Sequence, residues 1–259
     1  MKLFFSAGEP SGDLHGANLI RAIRRRDPGV EVTGFGGPKM AAAGASLHYP
    51  LTELSVMGLR RVLEHLPTFF RLAADSERLF RDDRPDAVVL IDYPGFNFEL
   101  AKRARAAGIP VYYFVPPQLW AWRRGRVRQV RKWCAGVLSA LPFEDDWYRA
   151  RGVRTHYVGH PYFDELANQR LDPSFLADER VKGGAVVGLL PGSRNQEVAA
   201  NFEMMLAAAR KVKAARPDAR FLVAAFNDRH AAQVREAAAR AAFPVSVHVG
   251  RTPEVIELA

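Results

Sequence analysis

The sequence predicts an α/β fold in two doubly wound halves, the second of them incomplete. Three features carry this reading. Short apolar runs such as Ala87 to Ile91 have the length and β-branched content of parallel strands covered on both faces. Segments of helical spacing separate such runs, beginning with Leu14, Ala17, Ile20 and Ile23. A polar, irregular stretch over residues 164–184 interrupts the rhythm, which then restarts. It divides the chain into residues 1–163 and 164–259.

Leu3 to Ala7 is the first strand. It runs into Gly8-Glu9-Pro10-Ser11-Gly12-Asp13, a turn rich in breakers, and then into the helix Leu14 to Arg26. The glycine spacing matches neither the dinucleotide fingerprint nor the phosphate loop of nucleotidases, which makes a simple phosphate cradle a weak reading. Ser11 or Asp13 is suited to cap this helix, or else to meet a substrate. Val30 to Phe35 is the second strand, and Gly36-Gly37-Pro38 opens a short helix. The following segment crowds Leu54, Val56, Met57, Leu59, Val62, Leu63, Leu66, Phe69, Phe70 and Leu72 beside Arg60, Arg61, His65 and Arg71. An amphipathic helix facing the core is one explanation. A helix lying in a membrane interface, or receiving an acyl chain, is the other.

Arg84-Pro85-Asp86 ends that segment, because the residue before proline is pushed out of the helical region. The strand Ala87 to Ile91 then delivers Asp92, and Pro94-Gly95 starts the next helix. In open α/β sheets, ligands sit outside the carboxyl ends of the strands, so Asp92 stands where a catalytic group belongs. A helix cap is the competing role. Val111 to Val115 is a further strand, followed by Pro116-Pro117-Gln118-Leu119-Trp120-Ala121-Trp122 and the basic run Arg123 to Lys132. That run fits a solvated helix face, phosphate binding or an anionic membrane; RNA ranks last, because no recognition module accompanies it. Trp120 and Trp122 fit either core or interfacial positions. Strands at Gly136 to Ala140 and Arg154 to Val158 flank a helix, and His160 in Gly159-His160-Pro161 fits a hinge or packing role better than substrate contact.

The second half repeats the pattern with strands at Ala185 to Leu190, Arg220 to Ala225 and Val245 to Val249, and Thr252-Pro253 opens a last helix. Three strands are fewer than a doubly wound domain uses, so a continuation past Ala259 is expected. Its strongest signal is Leu190-Pro191-Gly192-Ser193-Arg194. Here a buried strand delivers a small-residue loop to a helix start, whose free N–H groups and dipole favour an anion. Ser193 can donate a hydrogen bond, and the Arg194 fork matches a diphosphate. The competing reading is a capped helix with Arg194 paired to Glu197.

The 259 residues carry 37 basic and 28 acidic side chains, a formal charge of +9, which admits anionic partners without choosing among them. A single cysteine, Cys134, excludes an internal disulfide and argues against a cysteine metal cluster. Lys2 is followed by too short an apolar stretch for an export signal, and no uncharged run approaches the roughly 20 residues that span a bilayer.

Taken as an ordered set, Ser6-Ala7-Gly8-Glu9-Pro10-Ser11-Gly12-Asp13, Gly36-Gly37-Pro38-Lys39-Met40, Val56-Met57-Gly58, Ile91-Asp92-Tyr93-Pro94-Gly95-Phe96-Asn97, Trp120-Ala121-Trp122-Arg123 and Leu190-Pro191-Gly192-Ser193-Arg194 resemble the lipid-A-disaccharide synthase family. Pro116-Pro117-Gln118-Leu119 departs from the Ser-Pro type of sequence common among its members. The resemblance implies two Rossmann-like domains of GT-B type, the first for the acceptor and the second for the nucleotide sugar. It implies inverting transfer from UDP-2,3-diacylglucosamine to 2,3-diacylglucosamine 1-phosphate, with Asp92 as general base. Gly8, Glu9, Ser11, Gly12, Asp13 and Asn97 would contact substrate, and Gly192, Ser193 and Arg194 the diphosphate. With acylated substrates, Val56, Met57, Leu59, Val62, Leu63, Leu66, Phe69 and Phe70 become membrane or acyl contacts. The resemblance further implies no cofactor or metal, no nucleic-acid partner, an anionic membrane surface as partner, a cytoplasmic site at the inner membrane, and room for a homodimer. Another UDP-sugar GT-B enzyme, a UDP-sugar epimerase and a non-catalytic nucleotide- or RNA-binding scaffold are the alternatives.

Overall fold

The structure is a computed structural model that describes residues 1–55 and 66–259. Val56, Met57, Leu59, Val62 and Leu63 therefore lie outside the described residues. The chain forms two units, Met1–Asn168 and Gln169–Ala259.

The first unit is built on seven parallel strands: β1 (Lys2–Ala7), β2 (Glu31–Phe35), β3 (Ser46–Tyr49), β4 (Ala87–Ile91), β5 (Val111–Phe114), β6 (Gly136–Ser139) and β7 (Thr155–Tyr157). Their order is β3-β2-β1-β4-β5-β6-β7. The chain winds outward from β1 to β3 and returns on the other side of β1 at β4. The carboxyl ends of β1 and β4 thus flank the point where the winding reverses, with Ala7 beside Ile91.

Alternation along the strands sends side chains to opposite faces, and each face has its own core. Phe4, Val88, Leu90, Val111, Tyr113 and Val137 pack against the helices Leu66–Asp82, Pro94–Ala106, Val127–Trp133 and Pro142–Arg149. Leu3, Phe5, Ala7, Val32, Val89 and Ile91 pack against the helix Pro10–Arg26 and Met40. Burial on both faces explains why these strands read as continuous apolar runs. Ser46–Tyr49 is a seventh strand that apolar runs do not announce. It is an edge strand, and Ser46 and His48 are exposed.

The second unit holds β8 (Val186–Leu189), β9 (Arg220–Ala225) and β10 (Val245–Val249), parallel and ordered β10-β9-β8. The long helix Asn195–Ala215 buries Val198, Phe202, Leu206 and Ala209, a helical stripe, against Phe221, Val223 and Val234. The expected boundary at residue 163 falls inside the helix Tyr162–Asn168, which stays with the first unit through a hydrogen bond from Asn18 Nδ2 to Glu165 Oε2 (3.2 Å). The polar stretch after it is not irregular throughout. Asp172 accepts the amides of Ser174 and Phe175 and so caps a helix, Pro173–Val181, with proline at its first position.

Candidate functional site

Asp92 leaves β4 in an unusual turn. Asp92 and Tyr93 both take left-handed backbone conformations, at φ 43° and 47°. Two successive non-glycine residues there are costly and need surrounding structure to hold them. The Asp92 carbonyl accepts from the Tyr113 hydroxyl (2.6 Å) and from Asn97 Nδ2 (2.8 Å), and Asn97 Nδ2 also reaches the Ile91 carbonyl (3.1 Å). Ser6 on β1 donates to Asn97 Oδ1 (2.7 Å). Asn97 is thus fully buried and ties β1, β4 and the turn together behind the carboxylate. The resemblance implies a substrate contact for Asn97; its side-chain oxygen and nitrogen here bond Ser6 and the Ile91 and Asp92 carbonyls. Ser6 and Tyr113 share in holding the turn, and neither is among the site residues expected from the sequence. Tyr113 had one signal, a hydroxyl on a buried strand that must find a partner.

The Asp92 carboxyl is pushed up to about 6, first by burial and then by the nearby Glu9 carboxylate, while the Tyr93 amide works the other way. A carboxylate of that basicity, at the reversal of a doubly wound sheet, is equipped for proton removal near neutral pH.

The loop after β1 supplies the facing wall. A Cβ on Gly8 would lie 2.2 Å from Tyr93 Cδ1, so only glycine lets the Tyr93 ring settle beside Asp92. Glu9 is half-buried at the helix N-cap and makes no side-chain cap. Ser11 is exposed, and Gly12 is buried where an added Cβ would meet Ala7 and Ile91 at ordinary contact distance. Asp13, also expected at the substrate, is buried and spoken for. Its Oδ1 accepts the amides of Gly37 (3.0 Å) and Met40 (2.9 Å), and its Oδ2 accepts that of Lys39 (2.9 Å). It caps the neighbouring helix Pro38–Ala42 rather than its own.

Of the apolar segment, Leu66 and Phe70 are exposed, Phe70 at 70%. Phe69 turns inward, its ring 5.6 Å from Phe96 and 6.2 Å from Tyr93. It packs behind the Asp92 turn and is half-buried. The two tryptophans also part ways. Trp120 donates to Glu144 Oε1 (2.8 Å) and meets the Phe143 ring edge-on, whereas Trp122 is 75% exposed among exposed arginines. His160 stacks on Tyr162 and meets His15 edge-on, a packed cluster in which burial and the His160 charge lower His15 to about 4. A groove of about 550 Å³ between the helices Leu66–Asp82 and Pro94–Ala106 is lined by Glu77, Arg84, Glu99 and Lys102, none of them at a strand's carboxyl end.

In the second unit, Gly192 takes φ 120°, and a Cβ there would meet Glu197 Cβ at 2.7 Å. The loop is wrapped around the Glu197 carboxylate. Glu197 Oε2 accepts the amides of Ser193 (3.1 Å) and Arg194 (3.2 Å), and its Oε1 accepts from Arg194 Nη1 (3.0 Å). Those hydrogen bonds, the Arg194 amide first, hold the Glu197 carboxyl below its ordinary range. The predicted anion cradle therefore already holds an anion, the chain's own carboxylate. Both sequence readings of Arg194 meet here: it is paired to Glu197, at a loop whose donors select negative charge.

Among the described residues, no three His, Cys, Asp or Glu side chains are grouped to hold a metal ion, and no helix is long and apolar enough to cross a membrane.

Comparison with known proteins places these features. Among solved structures, UDP-GlcNAc 2-epimerase from Neisseria meningitidis superposes with a TM-score of 0.67 at 11% identity, over 99% of this chain and 74% of that one. MurG from Acinetobacter baumannii gives 0.56 at 14%, over 96% and 66%. Likenesses at such identity show the fold, which is of GT-B type. Curated relatives are nearer in sequence. The lipid-A-disaccharide synthase of Alkalilimnicola ehrlichii is 43% identical over 86% of this chain and 59% of its own length. That of Methylobacillus flagellatus is 39% identical over 98% and 68%. The chain thus spans about three fifths to two thirds of these relatives. A family model described as lipid-A-disaccharide synthetase matches residues 3–255, and this chain belongs to that family.

Proposed function

We propose that the whole protein joins UDP-2,3-diacylglucosamine to 2,3-diacylglucosamine 1-phosphate, forming the β-1′,6-linked disaccharide 1-phosphate and UDP. The observation that carries this reading is the raised Asp92 carboxyl at the reversal of the seven-stranded sheet, in a chain of this family. Asp92 takes the proton from the acceptor's 6-hydroxyl, a poor nucleophile until then. The oxygen attacks the anomeric carbon from the face opposite the diphosphate. The bond from that carbon to the diphosphate oxygen breaks, and UDP leaves with the electron pair, so the centre inverts. Glu9 beside Asp92 keeps its basicity high. Gly192, Ser193 and Arg194 offset the growing negative charge on UDP, and Arg194 exchanges its Glu197 partner for the diphosphate. No cofactor takes part in this proposed transfer.

Both substrates carry acyl chains, and the proposal places the protein at an anionic membrane surface. Exposed Leu66, Phe70 and Trp122 and the basic residues after Trp122 support that placement.

The test is Asp92→Asn in the full-length protein. UDP binding is expected to persist, and disaccharide formation to fall by roughly 10²–10⁴-fold, the usual worth of a general base. Full turnover by that variant removes Asp92 from the role.

A further inference from the structure

Phe226 follows the last residue of β9, the middle strand of the second sheet, and is 65% exposed. A single exposed phenylalanine is ordinary on a protein surface. Its place is what singles this one out. Ala225 lies beside Val249, and the Gly250 amide donates to the Ala225 carbonyl (3.2 Å). β8 pairs in parallel on the other side of β9, so the loop Pro191–Arg194 opens at the same edge. Exposed carboxyl edges of such sheets are where ligands sit.

The ring is also joined to the anion-selecting loop. Phe226 packs at 6.4 Å from the His230 imidazole, which is buried. His230 Nε2 lies 2.8 Å from Oδ1 of Asn195, the first residue of the helix that follows Arg194. The Asn195 oxygen accepts, so the imidazole hydrogen sits on Nε2, and Asn227 Oδ1 holds the His230 amide (2.9 Å). A flat apolar surface and a set of anion donors are therefore fixed relative to each other through one imidazole. A nucleoside diphosphate presents the matching pair, a planar base and a charged tail, separated by a ribose.

We propose that Phe226 is the stacking platform for the donor's nucleobase, with His230 as the positioning residue that sets it against the Gly192–Arg194 loop. This rests on the donor-site reading above. Stacking on an aromatic ring contributes affinity to any base without reading its edges, so the platform strengthens binding more than it selects uracil.

Calorimetric titration of the full-length protein with UDP and with inorganic pyrophosphate tests the proposal. Phe226→Ala is expected to weaken UDP roughly tenfold, within the range of about 5- to 150-fold for a lost stacking contact, and to leave pyrophosphate within about twofold. Phe226→Tyr, which keeps the ring, is expected to restore UDP binding. If the parent binds UDP and Phe226→Ala binds it equally well, or loses pyrophosphate to the same degree, the platform is overturned while the donor site stands. A parent that binds no UDP overturns the donor site and the platform with it.

Discussion

Asp92 is a carboxylate whose surroundings keep it from ionising as readily as it would in water. Its raised value of about 6 has a direct kinetic meaning. Only the ionised form accepts a proton, so kcat/KM of the full-length protein is expected to climb about tenfold per pH unit below 6 and to level off above it. Glu9→Gln removes the second cause of the shift and leaves the first, burial, so the rising limb should move to lower pH without reaching the ordinary aspartate value. A limb that stays put in that variant means Glu9 does not act on Asp92. The same shift opposes folding. Below the unfolded value of about 3.8 both states are protonated and nothing is lost; as pH rises through about 6 the folded state is left holding a buried charge. The left-handed backbone at Asp92 and Tyr93 is a second local cost at the same place. Tyr113, Asn97 and Ser6 supply the hydrogen bonds that hold this backbone in place, while only the Tyr93 amide supports the carboxylate itself.

Between elements, the decisive contacts are those that join segments distant in sequence. Asp13 sits near the start of the helix Pro10–Arg26, yet its carboxylate receives three amides of the segment Gly37–Met40. Asp13→Ala strands these donors, those of Gly37 and Met40 buried, and hydrogen bonds to a charged partner are worth about 1.5–3 kcal/mol each, only partly additive. A loss of about 2–4 kcal/mol in urea unfolding is expected. A change below about 0.5 kcal/mol, the size of an ordinary surface substitution, would mean the cap carries no weight. The sequence showed that Asp13 belonged to a cap or a site, but not which helix it would reach, because that depends on how two β-α units pack. The same limit explains Asn97 and Phe69. Each has the right loop or helix, and the packed neighbours Ser6 and Phe96 decide where it points. The place of Asp92 at a strand's carboxyl end was legible because a buried apolar run followed by a carboxylate needs no partner to be recognised. Ser46–Tyr49 was not, because an edge strand half open to water lacks that run.

At the scale of the whole molecule, each of the two units has its own core, and the chain carries a net +9. Spread evenly, such a charge mainly aids solubility; clustered beside exposed apolar rings, it attracts anionic surfaces. Arg123 and Arg124 are exposed next to Trp122, and Arg123 holds a left-handed backbone at φ 52°. Each basic residue near an anionic bilayer contributes about 1 kcal/mol, while a buried ring adds a term that salt does not screen. The two terms separate by ionic strength, because the screening length falls from about 10 Å at 0.1 M to about 3 Å at 1 M. The full-length protein is therefore expected to sediment with vesicles rich in phosphatidylserine and to release as salt rises. Replacing Arg123 and Arg124 by Glu should lower the low-salt fraction and leave the high-salt remainder. Phe70→Ser should lower the fraction at every salt concentration. Binding that ignores both salt and the arginine changes would exclude the electrostatic contribution, and no binding to any vesicle would exclude the membrane surface as partner.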